Sequence, residues 1–152
     1  MRIRDMKKSD YEEVDRLLLQ IHLMDVTNRP DMFSPANEYM TRECYENLIE
    51  SPTVISILAQ KHRETLGCCF VSLLGKEGAN EKKTAYIDLL VVDEPHRKQG
   101  IGKALFTEVQ KRAKKIGAQR VDLTVWSYNT DAIRAYEAFG MTPLRSVYEC
   151  II

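Results

Sequence analysis

The sequence predicts a mixed α/β fold, and three observations carry that reading. Val14, Leu17, Leu18, Ile21 and Met24 recur at helical spacing near the start of the chain. From Val54 onward the pattern changes to short β-rich runs. In the middle, the apolar run Tyr86-Ile87-Asp88-Leu89-Leu90-Val91-Val92 leads into a basic, glycine-bearing loop and then an amphipathic helix. The resulting order, β-α-α-β-β-β-α-β-α-β, is a mixed sheet flanked by helices.

Each element has its own signal. Arg2 to Met6 reads as a first strand. Ser9-x-x-Glu12 has the spacing of a capping box, and the helix it opens should end before Pro30. Asn28 to Ala36, with Pro30 and Pro35, reads as a loop. Thr41 opens a second helix that ends near Pro52. Val54–Ala59 and Leu66–Leu74 form a hairpin about a polar turn at His62-Arg63-Glu64. Gly75 to Lys83 is polar and reads as a mobile connection. Thr84–Val92 is the central strand. Gly100–Ile116 is a helix with Leu105, Val109 and Ala113 on its apolar face, and Gly117 can cap it. Arg120–Trp126, Thr130–Phe139 and Leu144–Ile151 complete the chain as strand, helix and strand, with the apolar end Cys150-Ile151-Ile152 expected to be buried.

Composition bounds the function. The 152 residues suit one domain, 1–152, with a real core. Lys+Arg and Asp+Glu both number 22, a neutral balance that argues against a nucleic-acid binder. No apolar run approaches the ~20 residues of a membrane span, and the N-terminus shows no signal-peptide pattern. Cys44, Cys68, Cys69 and Cys150 lack C-x-x-C spacing, and His22, His62 and His96 are scattered. A cytoplasmic protein with four buried, reduced thiols and no metal is the expectation. The basic run Lys111, Arg112, Lys114 and Lys115 reads as a solvated helix end.

The loop Arg97-Lys98-Gln99-Gly100-Ile101-Gly102-Lys103 is an anion site in outline. Backbone N–H groups and the positive end of the helix dipole meet there, among three basic side chains. A phosphate or pyrophosphate is the expected ligand. The P-loop pattern fails, because Gly102-Lys103 is followed by Ala104 and its first glycine position is Arg97. The dinucleotide pattern fails at its third glycine, which is Leu105.

The pattern [QR]-x-x-G-x-[GA] is met by Arg97-Lys98-Gln99-Gly100-Ile101-Gly102, and after it Asn129-x-x-Ala132-x-x-x-Tyr136-x-x-x-Gly140 follows the next strand. Over about residues 84–145 the chain resembles the GNAT superfamily of N-acetyltransferases. Met141 departs from the phenylalanine usual after the last glycine. The resemblance implies a mostly antiparallel mixed sheet whose central strand splays from its neighbour. It implies acetyl-CoA as acetyl donor, held by the backbone of Leu90, Val91 and Val92 along the pantetheine arm and by Arg97 to Lys103 at the pyrophosphate. It implies a cofactor contact for Asn129. A homodimer is in keeping with it.

Transfer from a thioester to an amine needs a base for the ammonium, whose pKa lies near ~10, and an acid for the leaving thiolate. Tyr136, seven residues from Asn129 and on the same helix face, is the candidate acid. A core aromatic is the competing account of it, and Asn129 could be only a helix cap. Asp88, in an otherwise apolar strand, is the candidate base if desolvation raises its pKa. A hydrogen-bonded strand residue is the competing account. A matching glutamate is proposed as base in spermidine/spermine-type members; the shorter aspartate points to a bridging water, with Tyr86 facing the same way.

For the acceptor, Asp25, Asp31, Glu38, Glu43, Glu46 and Glu50 outnumber Arg29 and Arg42 over residues 25–50. An acidic rim there would favour a small cationic amine. A peptide N-terminus or lysine is the alternative acceptor, and a non-catalytic acyl-CoA sensor the alternative class.

Overall fold

The structure is a computed structural model that describes residues 1–75 and 82–152. Residues 76–81 of the polar Gly75–Lys83 connection lie outside the described residues. The elements are β1 (Arg2–Asp5), α1 (Tyr11–Asn28), α2 (Arg42–Glu50), β2 (Val54–Lys61), β3 (Glu64–Leu74), β4 (Thr84–Val92), α3 (Ile101–Lys115), β5 (Arg120–Leu123) and α4 (Thr130–Ala138). The strands form one five-stranded sheet in the order β1-β2-β3-β4-β5. The first three pairings are antiparallel and β4–β5 is parallel, so the expected mixed, mostly antiparallel sheet is present. The parallel step needs a crossover, which α3 supplies.

Each face of the sheet has its own core. On one, Ile57, Cys69, Val71 and Ile87 pack against Leu105, Phe106 and Val109 of α3. On the other, Leu58, Cys68, Phe70 and Val91 pack against Val14, Leu17 and Leu18 of α1 and Tyr45 of α2. Strand alternation therefore sends the adjacent thiols Cys68 and Cys69 into opposite cores. Burial pushes both thiols well above their ordinary pKa. Cys44 and Cys150 are free but exposed, so only two of the four thiols are buried as expected.

The hairpin turn is tighter than its residues suggest. Only His62 and Arg63 separate β2 from β3, at φ 50° and 71°. Two left-handed residues make a type I′ connection, which suits strand twist and normally prefers Asn-Gly.

Three boundaries differ from the sequence reading. A turn of 3-10 helix, Lys8–Asp10, precedes α1. Ser9 does not cap α1: Asp10 precedes the helix without a side-chain cap bond, and its carboxylate instead closes the 3-10 turn by accepting the Lys7 N–H at 2.7 Å while it pairs with Arg4 at 2.7 Å. β5 ends at Leu123, short of Trp126. The expected strand Leu144–Ile151 is absent, and the apolar chain end is not buried: Val147 is 88% and Tyr148 93% exposed. β propensity describes how a residue suits a pleated, half-buried surface, and this segment has no ladder partner to supply one. Its side-chain tie to the body is Glu149 with Arg29, at 2.8 Å. Among the described residues no helix is long and apolar enough to cross a membrane.

Candidate active site

The central strand outruns its neighbour. β4 and β5 pair from Thr84–Arg120 to Ile87–Leu123, after which β4 continues alone to Val92. A bulge marks the parting: on β3, Phe70 faces Leu89 and Val71 faces Ile87, which leaves Asp88 without a partner. The splay implied by the family resemblance is thus present, and it opens the β4 backbone from 88 to 92 on one side. Leu90 and Val92 pack towards α3, while Val91 is buried in the opposite core.

The loop that follows β4 is held in an uncommon conformation. Lys98 has φ 60° and Gly100 φ 81°. Left-handed backbone is awkward for lysine and easy for glycine. Ala104 N–H makes the first intrahelical bond of α3, to the Gly100 carbonyl at 3.0 Å. By helix geometry the N–H groups of Ile101, Gly102 and Lys103 then have no helix partner. Ile101 buries its side chain, so only its backbone can face a ligand. A Cβ on Gly102 would stand 3.6 Å from Val92 Cγ2 and 3.8 Å from Phe139 Cζ. Gly102 therefore faces the interval between β4 and α4. Lys98, Gln99 and Lys103 are exposed, whereas the Arg97 guanidinium is engaged, donating from Nε to the Val92 carbonyl at 3.0 Å.

From the other side comes α4. Asn129 caps it, with the side-chain oxygen accepting Ala132 N–H at 3.2 Å. Tyr136 is half-buried, edge-on to Phe139 at 6.3 Å, and Phe139 stacks on Phe106 of α3 at 5.3 Å. Burial, with a contribution from Cys69, pushes the Tyr136 phenol up to about 12. Cys69 pairs with Leu90, which puts the tyrosine near the open stretch of β4. A phenol this weakly acidic stays protonated at neutral pH.

Asp88 is exposed, where a partly desolvated position was expected. Its Oδ2 accepts a bond from Ser72 Oγ at 2.6 Å. The Tyr86 hydroxyl bonds Thr124 Oγ1 at 2.6 Å and is spoken for.

Beside Asp88 lies an aromatic wall that sequence reasoning missed. Tyr128 donates to Asp25 at 2.6 Å and lies parallel to Trp126, with centroids 5.6 Å apart. Phe33 meets Trp126 edge-on, and His22 meets both Phe33 and Tyr39 edge-on. Burial and the charges of Asp25 and Asp88 push the Tyr39 phenol up, so the two carboxylates flank it. The one sequence signal was the pair of aromatics just before the Asn129 motif. The expected acidic rim does not form as a unit. Glu46 and Glu50 pair with Lys8, Asp31 pairs with Arg29, and Glu38 accepts from Tyr11. Asp25 alone of that set joins the wall.

Comparisons with known proteins agree with this geometry. The model of the acetyltransferase (GNAT) family matches residues 21–141. An L-ornithine N5-acetyltransferase of Arabidopsis thaliana is 30% identical over an alignment of 138 residues that covers 86% of this chain. The match spans 58% of that relative's length. The solved structure of a mutant BH1408 protein from Bacillus halodurans superposes with a TM-score of 0.94 at 26% identity, covering 100% of this chain and 99% of that one. An aminoglycoside acetyltransferase from an uncultured soil metagenomic sample, solved with sisomicin, shares the fold at a TM-score of 0.71 and 20% identity, over 99% of this chain and 94% of its own. With the splayed strand, the glycine loop and the Asn129–Tyr136 helix in place, the chain belongs to the acetyltransferase (GNAT) family.

Proposed function

We propose that this protein transfers an acetyl group from acetyl-CoA to a primary amine of a small cationic molecule. The observation that carries the reading is the parting of β4 from β5. It exposes strand backbone beside the free N–H groups of α3 on one side and the Asp25–Asp88 wall on the other. The pantetheine arm runs along Leu90 to Val92, and the pyrophosphate meets the backbone at Gly100 to Lys103, with Lys98 and Lys103 adding charge. Asn129 closes the arm's other side.

Asp88 is solvent-accessible and shorter than a glutamate, so it takes the ammonium proton through a water. The freed amine nitrogen bonds to the thioester carbon. As the C–S bond breaks, Tyr136 donates its phenolic proton to the departing thiolate sulfur, and the second proton that the nitrogen sheds on becoming an amide returns through water to the phenolate. Positioning of the two reactants supplies much of the remaining acceleration.

The Asp25 and Asp88 carboxylates favour a compact amine carrying a second positive charge, while the Trp126 face is already covered by the Arg29 guanidinium at 5.5 Å. The named activity of the plant relative, on ornithine, supports that class. Placement in the cytoplasm fits the free thiols. A panel of diamines, basic amino acids, aminoglycosides and peptides, assayed with acetyl-CoA, tests the acceptor. Turnover confined to peptides overturns the small-amine reading, and no turnover with any amine favours a sensor.

A further inference from the structure

The first helix grips the loop between β4 and α3 with two polar residues one turn apart. Arg16 donates to Asp93 twice, at 3.1 and 2.9 Å. Gln20 makes three bonds to the same loop. Its Nε2 donates to Asp93 Oδ1 at 2.7 Å, and its Oε1 accepts from Glu94 N–H at 3.2 Å and from Arg97 Nη2 at 3.1 Å. Arg97 in turn donates to the Val92 carbonyl, the last residue of β4. The Asp93 carboxylate is buried, and its backbone N–H donates to the Leu66 carbonyl of β3 at 2.9 Å. The turn 93–97 is thus fastened to the sheet at one end and to α1 along its length.

The fastening has a reason. Immediately downstream, Lys98 and Gly100 adopt left-handed backbone. A non-glycine residue persists there only where its surroundings over-determine the chain path. Gln20 supplies three of those constraints from an element remote in sequence. It does so without charge of its own, so it can serve a donor and two acceptor functions at once.

We propose that Gln20 is a positioning residue for the acetyl donor. It fixes the turn 93–97 so that the N–H groups opening α3 converge on the pyrophosphate. It contacts neither the acetyl group nor the amine. The inference rests on placing the pyrophosphate at Gly100 to Lys103.

The test compares two donors, acetyl-CoA and S-acetylpantetheine, which lacks the pyrophosphate. Gln20→Met keeps the side-chain length and removes every polar end. The Kd for CoA and the KM for acetyl-CoA should rise about tenfold. The kcat at saturating acetyl-CoA should stay within about twofold. With S-acetylpantetheine, kcat/KM should match wild type. Gln20→Glu keeps both acceptor functions but sets a second carboxylate against Asp93, and it should weaken CoA binding without affecting the shorter donor. Gly102→Trp reports on the loop itself. Wild-type CoA affinity in both Gln20 variants, alongside its loss in Gly102→Trp, overturns the inference and leaves the loop placement standing. Equal losses with both donors overturn it in favour of a general packing role. Wild-type affinity in Gly102→Trp removes the placement, and the inference with it.

Discussion

The two halves of the cleft are built to different standards. On the donor side, β4 pairs with β3 along its length, and α3 buries Ile101, Leu105, Phe106, Val109 and Ala113. On the other side, β5 pairs over four residues, and none of the α4 side chains is fully buried. The segment after α4 has no strand partner among the described residues. The difference teaches that the donor loop is part of the sheet's own cooperative core. The helix bearing Tyr136 is instead a lightly seated element, attached through Phe139 and its cap.

The comparison predicts where chemistry and stability separate. Tyr136→Phe should lower kcat by about 10²-fold or more, as loss of a general acid does, while Kd for CoA and the melting temperature hold. Steady-state kinetics and a CoA titration check it; an unchanged kcat would leave α4 with packing alone. Leu105→Ala on α3 should cost about 2–5 kcal/mol of unfolding free energy. Ile133→Ala on α4, half-buried, should cost about 1 kcal/mol. Urea unfolding of both variants measures the contrast, and equal costs would erase it.

Acid should weaken the donor side. Bonds from Arg16, opposed by burial and aided by Gln20, hold the Asp93 carboxyl below the usual carboxylate range. Its folded pKa is depressed, so its stabilisation is complete above the unfolded value of about 3.9 and is lost as pH falls through the folded one. Thermal melts below about pH 4 should show a decline that Asp93→Asn lacks in part. Smallest of all, Glu149→Ala should change stability by less than about 1 kcal/mol, because Arg29 keeps Asp31 and the Glu149 carboxylate is exposed. A larger loss in calorimetry would mean that the chain end is seated more firmly than its exposure indicates.

The donor half was readable in sequence because its information is local. The run Tyr86–Val92, the loop 97–103 and the helix after it are contiguous, and each glycine marks a backbone need. The bulge at Asp88 was not readable, because it is a mismatch between two strands rather than a property of one. The aromatic wall was hidden for the same reason: Phe33 and Trp126 meet only through tertiary packing. The strand expected at Leu144–Ile151 had the composition, yet the segment pairs with neither edge of the sheet, β1 or β5. Gln20 carries no motif at all, and only the path of α1 past residue 93 gives it a role.

The four cysteines make the fold its own reporter. Cys68 and Cys69 lie in separate cores with their thiols held protonated, while Cys44 and Cys150 face solvent. A thiol reagent added to native protein reaches the outer pair quickly and the inner pair only through opening of the sheet. Assays that follow released CoA by its free sulfur therefore start from a background fixed by Cys44 and Cys150. A later rise in that background with both acetyl-CoA and acceptor left out measures unfolding, not turnover.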